Sequence, residues 1–195
     1  MLAPYLLNSE KLILSLCDYS GNWPLYYKEA GYDVRTFDIK TTGDIRLLEF
    51  IDKPVYGILA APPCTAFSVS GAQYWPKKDL NGETLDALSI VDACLRIILV
   101  ANPVFWALEN PVGRLKRYIG PEKFKFNPCD FGDPYTKKTL LWGKFNNPIK
   151  NPVEPIRSCD AGSWLMKLGG KSERTKTLRS ITPLGFAKAF YEANQ

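Results

Sequence analysis

The chain has 195 residues, 46% of them hydrophobic, and a net charge of +5, which predicts one globular domain with a substantial core. No run of about 18 apolar residues occurs, so we expect no membrane span. The N-terminus lacks the features of a secretory signal, so we expect a cytoplasmic protein, in the host cell if it is viral. The positive charge suits a polyanionic partner such as nucleic acid, and scattered surface lysines produce the same sum in other proteins.

Two residue types limit the chemistry. The sequence contains no histidine, which removes the commonest general base and the commonest metal ligand. Its five cysteines are odd in number, widely spaced and without a Cys-x-x-Cys pair, which predicts reduced thiols and no metal centre. Acid–base work must therefore fall to carboxylates, lysines, tyrosines or water.

Strand and helix patterns alternate along the chain, and short extended pieces follow residue 125. This alternation predicts an α/β fold with a mostly parallel sheet and helices on both faces. A second crossover opens at 44–46, and 146–155 is rich in proline. In chain order we predict a strand over 12–17, a helix over 23–30, strands over 32–38 and 55–61, a helix over 83–100, strands over 104–108 and 139–142, and a helix over 183–193.

Two reactive side chains stand at the ends of predicted strands. Cys64 lies in Ala-Ala-Pro-Pro-Cys-Thr directly after one apolar run, and Glu109 ends another. Because neighbouring strands of an open α/β sheet share one crevice at their carboxyl ends, these residues can meet there. A thiol beside a carboxylate predicts covalent catalysis on a ring, whereas a buried cysteine is also a common inert core residue.

Three acidic positions suggest a nucleoside site. The first βα turn, Cys17-Asp18-Tyr19-Ser20-Gly21-Asn22, is a segment where backbone can approach a ligand. Asp38 ends the second strand, where a carboxylate can accept hydrogen bonds from both ribose hydroxyls. Asp38 is alternatively only a turn residue, and Asp44 either contacts an adenine amino group or caps the helix that begins there.

In order and spacing, these segments resemble the motifs of the cytosine-C5 DNA methyltransferase family. The resemblance is to a minimal, phage-like member, because only the short insert at 144–174 stands where the family has a target-recognition domain. It spans residues 11 to 115, with a weaker similarity at 179–183. The matching segments are 15–21, 32–38, 43–46, Pro62-Pro63-Cys64 and Glu109-Asn110-Pro111.

The resemblance implies a Rossmann-like S-adenosylmethionine-dependent methyltransferase fold in a single domain, 1–195. It implies methyl transfer from S-adenosyl-L-methionine to C5 of cytosine in DNA, with Cys64 adding to C6 and Glu109 hydrogen-bonding N3 and the amine. A nearby Lys or Arg is expected to lower the pKa of Cys64. The expected substrate contacts are Arg114, Lys137 and Lys138, and the expected cofactor contacts are Asp18, Tyr19, Ser20, Gly21, Asp38, Asp44 and Pro62.

The chain also departs from the family. Its first turn has Cys17-Asp18-Tyr19-Ser20-Gly21 in place of Phe-x-Gly-x-Gly, and lysines at 137 and 138 replace arginines, which retains charge without a bidentate fork. The short insert predicts weak target recognition, or a protein partner that supplies it; a basic loop at 158–163 and 169–171 is an alternative substrate contact. Two other functions stay open: the same chemistry on RNA or a nucleotide, and a nucleic-acid-binding module without catalysis.

Overall fold

The computed structural model describes residues 6–49, 51–157, 164–168 and 172–195. Its centre is a six-stranded sheet with the strand order β2-β1-β3-β4-β6-β5. The first four strands pair in parallel, and β6 runs antiparallel to both β4 and β5. The strands are β1 (Leu12–Leu16), β2 (Asp33–Phe37), β3 (Val55–Ala60), β4 (Phe105–Pro111), β5 (Phe124–Phe126) and β6 (Thr139–Lys144).

Helices cover both faces of this sheet. They are α1 (Leu25–Glu29), α2 (Trp75–Leu80), α3 (Glu83–Ala101), α4 (Lys116–Ile119), α5 (Glu173–Ser180) and α6 (Leu184–Ala193). Successive strand residues point to opposite faces, so the central strands are apolar on both sides. One core joins Leu14, Ile58 and Leu108 to α3, and the other joins Ile13, Leu59 and Ala107 to α1 and α6.

The predicted α/β class, with a mostly parallel sheet and helices on both faces, is confirmed, and the architecture is Rossmann-like. All five predicted strands are present, and the helices predicted over 83–100 and 183–193 are α3 and α6. The helix predicted over 23–30 is shorter, because Trp23 and Pro24 belong to the preceding turn. The sheet also contains one antiparallel strand, β6.

The end of β4 differs from the prediction. The strand continues past 108 through Pro111, because Glu109, Asn110 and Pro111 pair with β6. Glu109 therefore lies within the paired part of β4, near its end.

Some predictions lie beyond what the structure describes. The basic loop predicted at 158–163 and 169–171 falls outside the described residues, and so does part of the insert at 144–174. Among the described residues, no helix is both long enough and apolar enough to cross a membrane.

Candidate active site

Cys64 and Glu109 are brought to the same end of the sheet by adjacent strands. Strands β3 and β4 pair in parallel with Ala60 opposite Leu108, so the chain leaving β3 runs beside the last residues of β4. The carbonyl oxygen of Cys64 accepts hydrogen bonds of 2.9 Å from the backbone N–H groups of Phe67 and Ser68. Cys64 thus opens a tight turn, which we call the Cys64 turn (residues 64–68).

Burial and three neighbouring charges determine the pKa of Cys64. Burial raises the pKa of the Cys64 thiol and the carboxylate of Glu109 raises that pKa further, whereas Lys137 and Arg179 lower it. The expectation of a lowered pKa is therefore wrong in its net direction, although both cations act in the expected sense. Burial outweighs them because a thiolate loses hydration inside the protein.

The surroundings of Glu109 raise its pKa overall. Burial raises the pKa of Glu109, the Asp18 carboxylate raises that pKa further, and Lys137 opposes both. Its Oε1 atom is buried and has no hydrogen-bond partner among the residues that the structure describes. An unpartnered buried acceptor is costly, so this oxygen is available to a ligand or carries the proton.

The first βα turn is organised by Asp18. The buried Oδ1 atom of Asp18 accepts hydrogen bonds from the backbone N–H groups of Ser20 and Gly21, each 3.1 Å, and from the Ser20 hydroxyl at 2.7 Å. The Asp18 carboxylate and these N–H and O–H donors therefore bind one another. The sequence instead predicted that Asp18 and Ser20 contact the cofactor. Gly21 has φ +67°, which favours glycine, and an added Cβ there would meet no atom within 4 Å.

The exposed side of this turn faces the end of β2. The Tyr19 ring is 52% exposed, and the Lys40 ammonium lies 4.8 Å from its centroid. Asp38 also stands here: its Oδ1 accepts the backbone N–H of Lys40 at 2.9 Å. Asp38 is therefore a turn residue at the strand end, with its carboxylate on the exposed side.

Asp44 is paired within the protein. It caps a 3₁₀ turn (Ile45–Leu47) by accepting the backbone N–H of Arg46 at 3.0 Å, and both its oxygens bind the Arg46 guanidinium. That guanidinium also binds Asp86 on α3 at 2.6 Å. The capping alternative is the one observed, and the expected adenine contact is not supported because the carboxylate is already saturated.

The three residues expected to contact substrate differ in how exposed they are. Lys137 is half-buried and acts on Glu109 and Cys64, whereas Lys138 is exposed. Arg114 is only 5% exposed, and all three of its guanidinium nitrogens bind protein atoms. The expectation that Arg114 contacts substrate is corrected: its side chain faces the interior. Pro62 is also buried, and its carbonyl oxygen accepts from Asn110.

Two residues that interact with the candidate site were not identified from the sequence. Arg179 lies at the end of α5 and acts on Cys64 from a distant part of the chain; the weakly similar segment at 179–183 was its only signal. Asp79, which pairs with Arg114, carries no sequence signal. In the described part of the chain, no group of three or more Cys, Asp or Glu side chains is arranged to hold a metal ion.

Comparison with solved structures finds chains that are similar to this one. No protein-family model matches the chain, and no curated protein matches it. A solved structure from E. coli, described as a candidate DNA modification methyltransferase encoded within a prophage, is similar with a TM-score of 0.48 and 18% identity. The match covers 74% of this chain and 53% of that one, so the chain spans about half the length of its neighbour.

Proposed function

We propose that this protein transfers a methyl group from S-adenosylmethionine to C5 of cytosine in DNA, through a covalent Cys64 adduct at C6. The observation that carries the proposal is the placement of Cys64 and Glu109 at the ends of adjacent parallel strands, where the Glu109 carboxylate raises the pKa of Cys64 and Lys137 lowers the pKa of both groups. The motif resemblance to the cytosine-C5 family supplies the reaction type.

The residues fit a nucleoside cofactor in part. Open space above Gly21 and the carboxylate of Asp38 at the end of β2 suit the sugar and its substituents, as expected for the crevice of an open α/β sheet. Asp44 does not fit, because Arg46 holds it. When bound, S-adenosylmethionine supplies an electrophilic methyl group.

Cys64 makes the ring reactive. C5 of cytosine is a poor nucleophile, and addition of the thiolate forms an S–C6 bond that moves ring electrons towards C5 and N3. After C5 has been methylated, its proton leaves to water, the S–C6 bond breaks and the thiolate is restored. Lys137 and Arg179 stabilise the thiolate, since both lower the pKa of Cys64.

Glu109 assists in its protonated form. Its raised pKa favours a neutral carboxyl group, which can donate a hydrogen bond to N3 and stabilise the electron-rich adduct. A neutral Glu109 also no longer opposes ionisation of Cys64. Protonation of Glu109 therefore provides the hydrogen-bond donor to N3 and also favours the thiolate form of Cys64.

Labelled methyl transfer tests this proposal. We expect transfer to DNA, with 5-methylcytosine identified by mass spectrometry, and its loss by more than about a thousandfold in Cys64→Ser, as is typical when a nucleophile is removed. Cys129→Ser, which changes a thiol in another part of the fold, is the matched control and should retain activity. Transfer that survives Cys64→Ser would remove Cys64 from the mechanism, and transfer to RNA or free nucleotide alone would reassign the substrate.

A second function is favoured by two of the same observations. The pKa of Cys64 is raised overall, and Asp18 occupies backbone donors of the first turn; both are consistent with a nucleic-acid-binding module without catalysis. Calorimetry separates the two functions. Binding of DNA without detectable binding of S-adenosylmethionine would favour the second.

A further inference from the structure

Arg114 holds the turn that contains Cys64. Its Nε donates to the carbonyl oxygen of Ala66 at 2.9 Å, and its backbone N–H donates to the carbonyl oxygen of Phe67, also at 2.9 Å. One residue therefore binds two successive carbonyl groups of the Cys64 turn. Charge-assisted hydrogen bonds of this kind are stronger than neutral ones.

The same guanidinium reaches α2 and α3. Its Nη1 binds Asp79 at 2.8 Å and its Nη2 donates to the Thr84 hydroxyl at 2.7 Å, while that hydroxyl donates to Asp79 at 2.6 Å. The guanidinium also stacks 4.9 Å from the Trp75 ring centroid. Two hydrogen-bonded side chains and one aromatic face thus surround the Arg114 guanidinium.

This network matters because buried side chains do not anchor the neighbouring segment to the rest of the fold. The structure describes all of residues 69–80, a 3₁₀ turn (Val69–Tyr74) followed by α2, and neither element has a buried residue. Segments with few buried apolar contacts open at low free energy. Besides Arg114, two hydrogen bonds hold the segment: the Val69 backbone N–H donates to the Val112 carbonyl oxygen at 2.9 Å, and Lys78 donates to the Thr65 carbonyl oxygen at 3.1 Å.

We propose that Arg114 is a positioning residue that fixes the Cys64 sulfur relative to Glu109 by clamping the Cys64 turn and holding α2 beside it. The consequence for methyl transfer rests on the proposed function, whereas the clamp does not. Arg114 acts through the turn and does not touch substrate. A displacement of about 1 Å at a reacting group is enough to cost a hundredfold in rate.

The first test compares Arg114→Lys with Arg117→Lys, an exposed residue on α4. Lysine keeps the charge but cannot form the fork of bonds that arginine makes. We expect Arg114→Lys to raise the rate of Cys64 alkylation by iodoacetamide about tenfold, because a released turn reduces the burial that suppresses its thiolate. Peptide-resolved mass spectrometry separates Cys64 from the other cysteines, and Arg117→Lys should match the wild type.

The second readout is steady-state methyl transfer to DNA. We expect Arg114→Lys to lower kcat by about a hundredfold, the cost of a misplaced reacting group, and to leave the calorimetric Kd for S-adenosylmethionine within about twofold. A general loss of structure would change both quantities. If the wild type transfers no methyl group, the proposed function fails, yet the alkylation comparison still decides the proposal for Arg114.

A folded Arg114→Lys protein whose Cys64 alkylation rate equals that of the wild type would overturn the proposal. Should that variant not fold, Thr84→Val and Asp79→Asn weaken only the far end of the network. These two should raise the alkylation rate by a smaller factor, and an unchanged rate in both would equally overturn it.

Discussion

The side-chain amide of Asn110 donates a hydrogen bond of 3.0 Å to the carbonyl oxygen of Pro62. Asn110 follows Glu109 on β4, and Pro62 precedes the Cys64 turn, so this bond ties the end of β4 to the chain that leaves β3. Asn110 is fully buried, and its Oδ1 has no partner among the described residues. Both ends of the bond therefore lie out of reach of bulk water.

Replacement of Asn110 by alanine should destabilise the protein. The variant leaves the buried Pro62 carbonyl unpartnered, which costs about 1–3 kcal/mol. Urea denaturation followed by tryptophan fluorescence measures the change, and Asn147→Ala, at an exposed position, is the control. Equal stability of the two variants would contradict the structural role of this bond.

Gly113→Ala should separate the Cys64 turn from β4. A Cβ at Gly113 would lie 1.9 Å from the Phe67 carbonyl oxygen, so one backbone segment must move, at a cost of about 1–3 kcal/mol. In Gly71→Ala, within the 3₁₀ turn Val69–Tyr74, the nearest atom would be 3.8 Å away, which makes that variant the control. Thermal melting should show a clear loss of stability for Gly113→Ala alone.

The alkylation of Cys64 should have a pH midpoint above that of the unfolded chain, because burial raises the pKa of the folded thiol. Lys137→Met should move this midpoint to higher pH and Glu109→Gln should move it to lower pH, since each removes one charge that acts on the thiol. Lys138→Met, at the adjacent exposed lysine, is the matched control.

The same raised pKa of Cys64 links stability to pH. The unfolded chain ionises first, so the contribution of Cys64 to stability falls as the pH rises from the ordinary thiol pKa through the folded one. Urea midpoints measured across this alkaline range should fall more steeply for the wild type than for Cys64→Ser. Parallel slopes for the two proteins would show that Cys64 ionises as easily in the folded state as in the unfolded one.

Two aspartates should differ in cofactor binding. Asp38→Ala should weaken binding of S-adenosylmethionine by about tenfold, the usual cost of one hydrogen bond to a charged group. Asp44→Ala should leave the Kd nearly unchanged, because Arg46 already occupies that carboxylate. Isothermal titration calorimetry makes the comparison, and equal losses would restore Asp44 as a cofactor contact.

The sheet could be predicted because strands covered on both faces are written as uninterrupted apolar runs. The sequence did not predict α2, whose Trp75–Leu80 segment buries no residue and so shows no apolar periodicity, nor β5, which has only three residues. The direction of β6 was also not predictable, since the alternation of side chains is the same in parallel and antiparallel strands.

The positions of Cys64 and Glu109 could be predicted because each stands at the end of an apolar strand, whereas the role of Arg114 could not be predicted. A basic residue after a motif looks identical in sequence whether it is exposed or buried. Its partners Asp79 and Thr84 lie well before it in the chain, and only the fold brings them into contact. The upward pKa shift of Cys64 likewise depends on burial that no local pattern reports.

The lack of buried side chains in the segment from Val69 to Leu80 has an evolutionary consequence. Mutations at its exposed positions, such as Ser70, Gln73 and Lys77, carry almost no folding penalty, so they can accumulate freely in the segment that follows the Cys64 turn. Under the proposed function, this stretch is where a lineage can acquire new substrate preferences without first gaining stability elsewhere, and where directed evolution would begin.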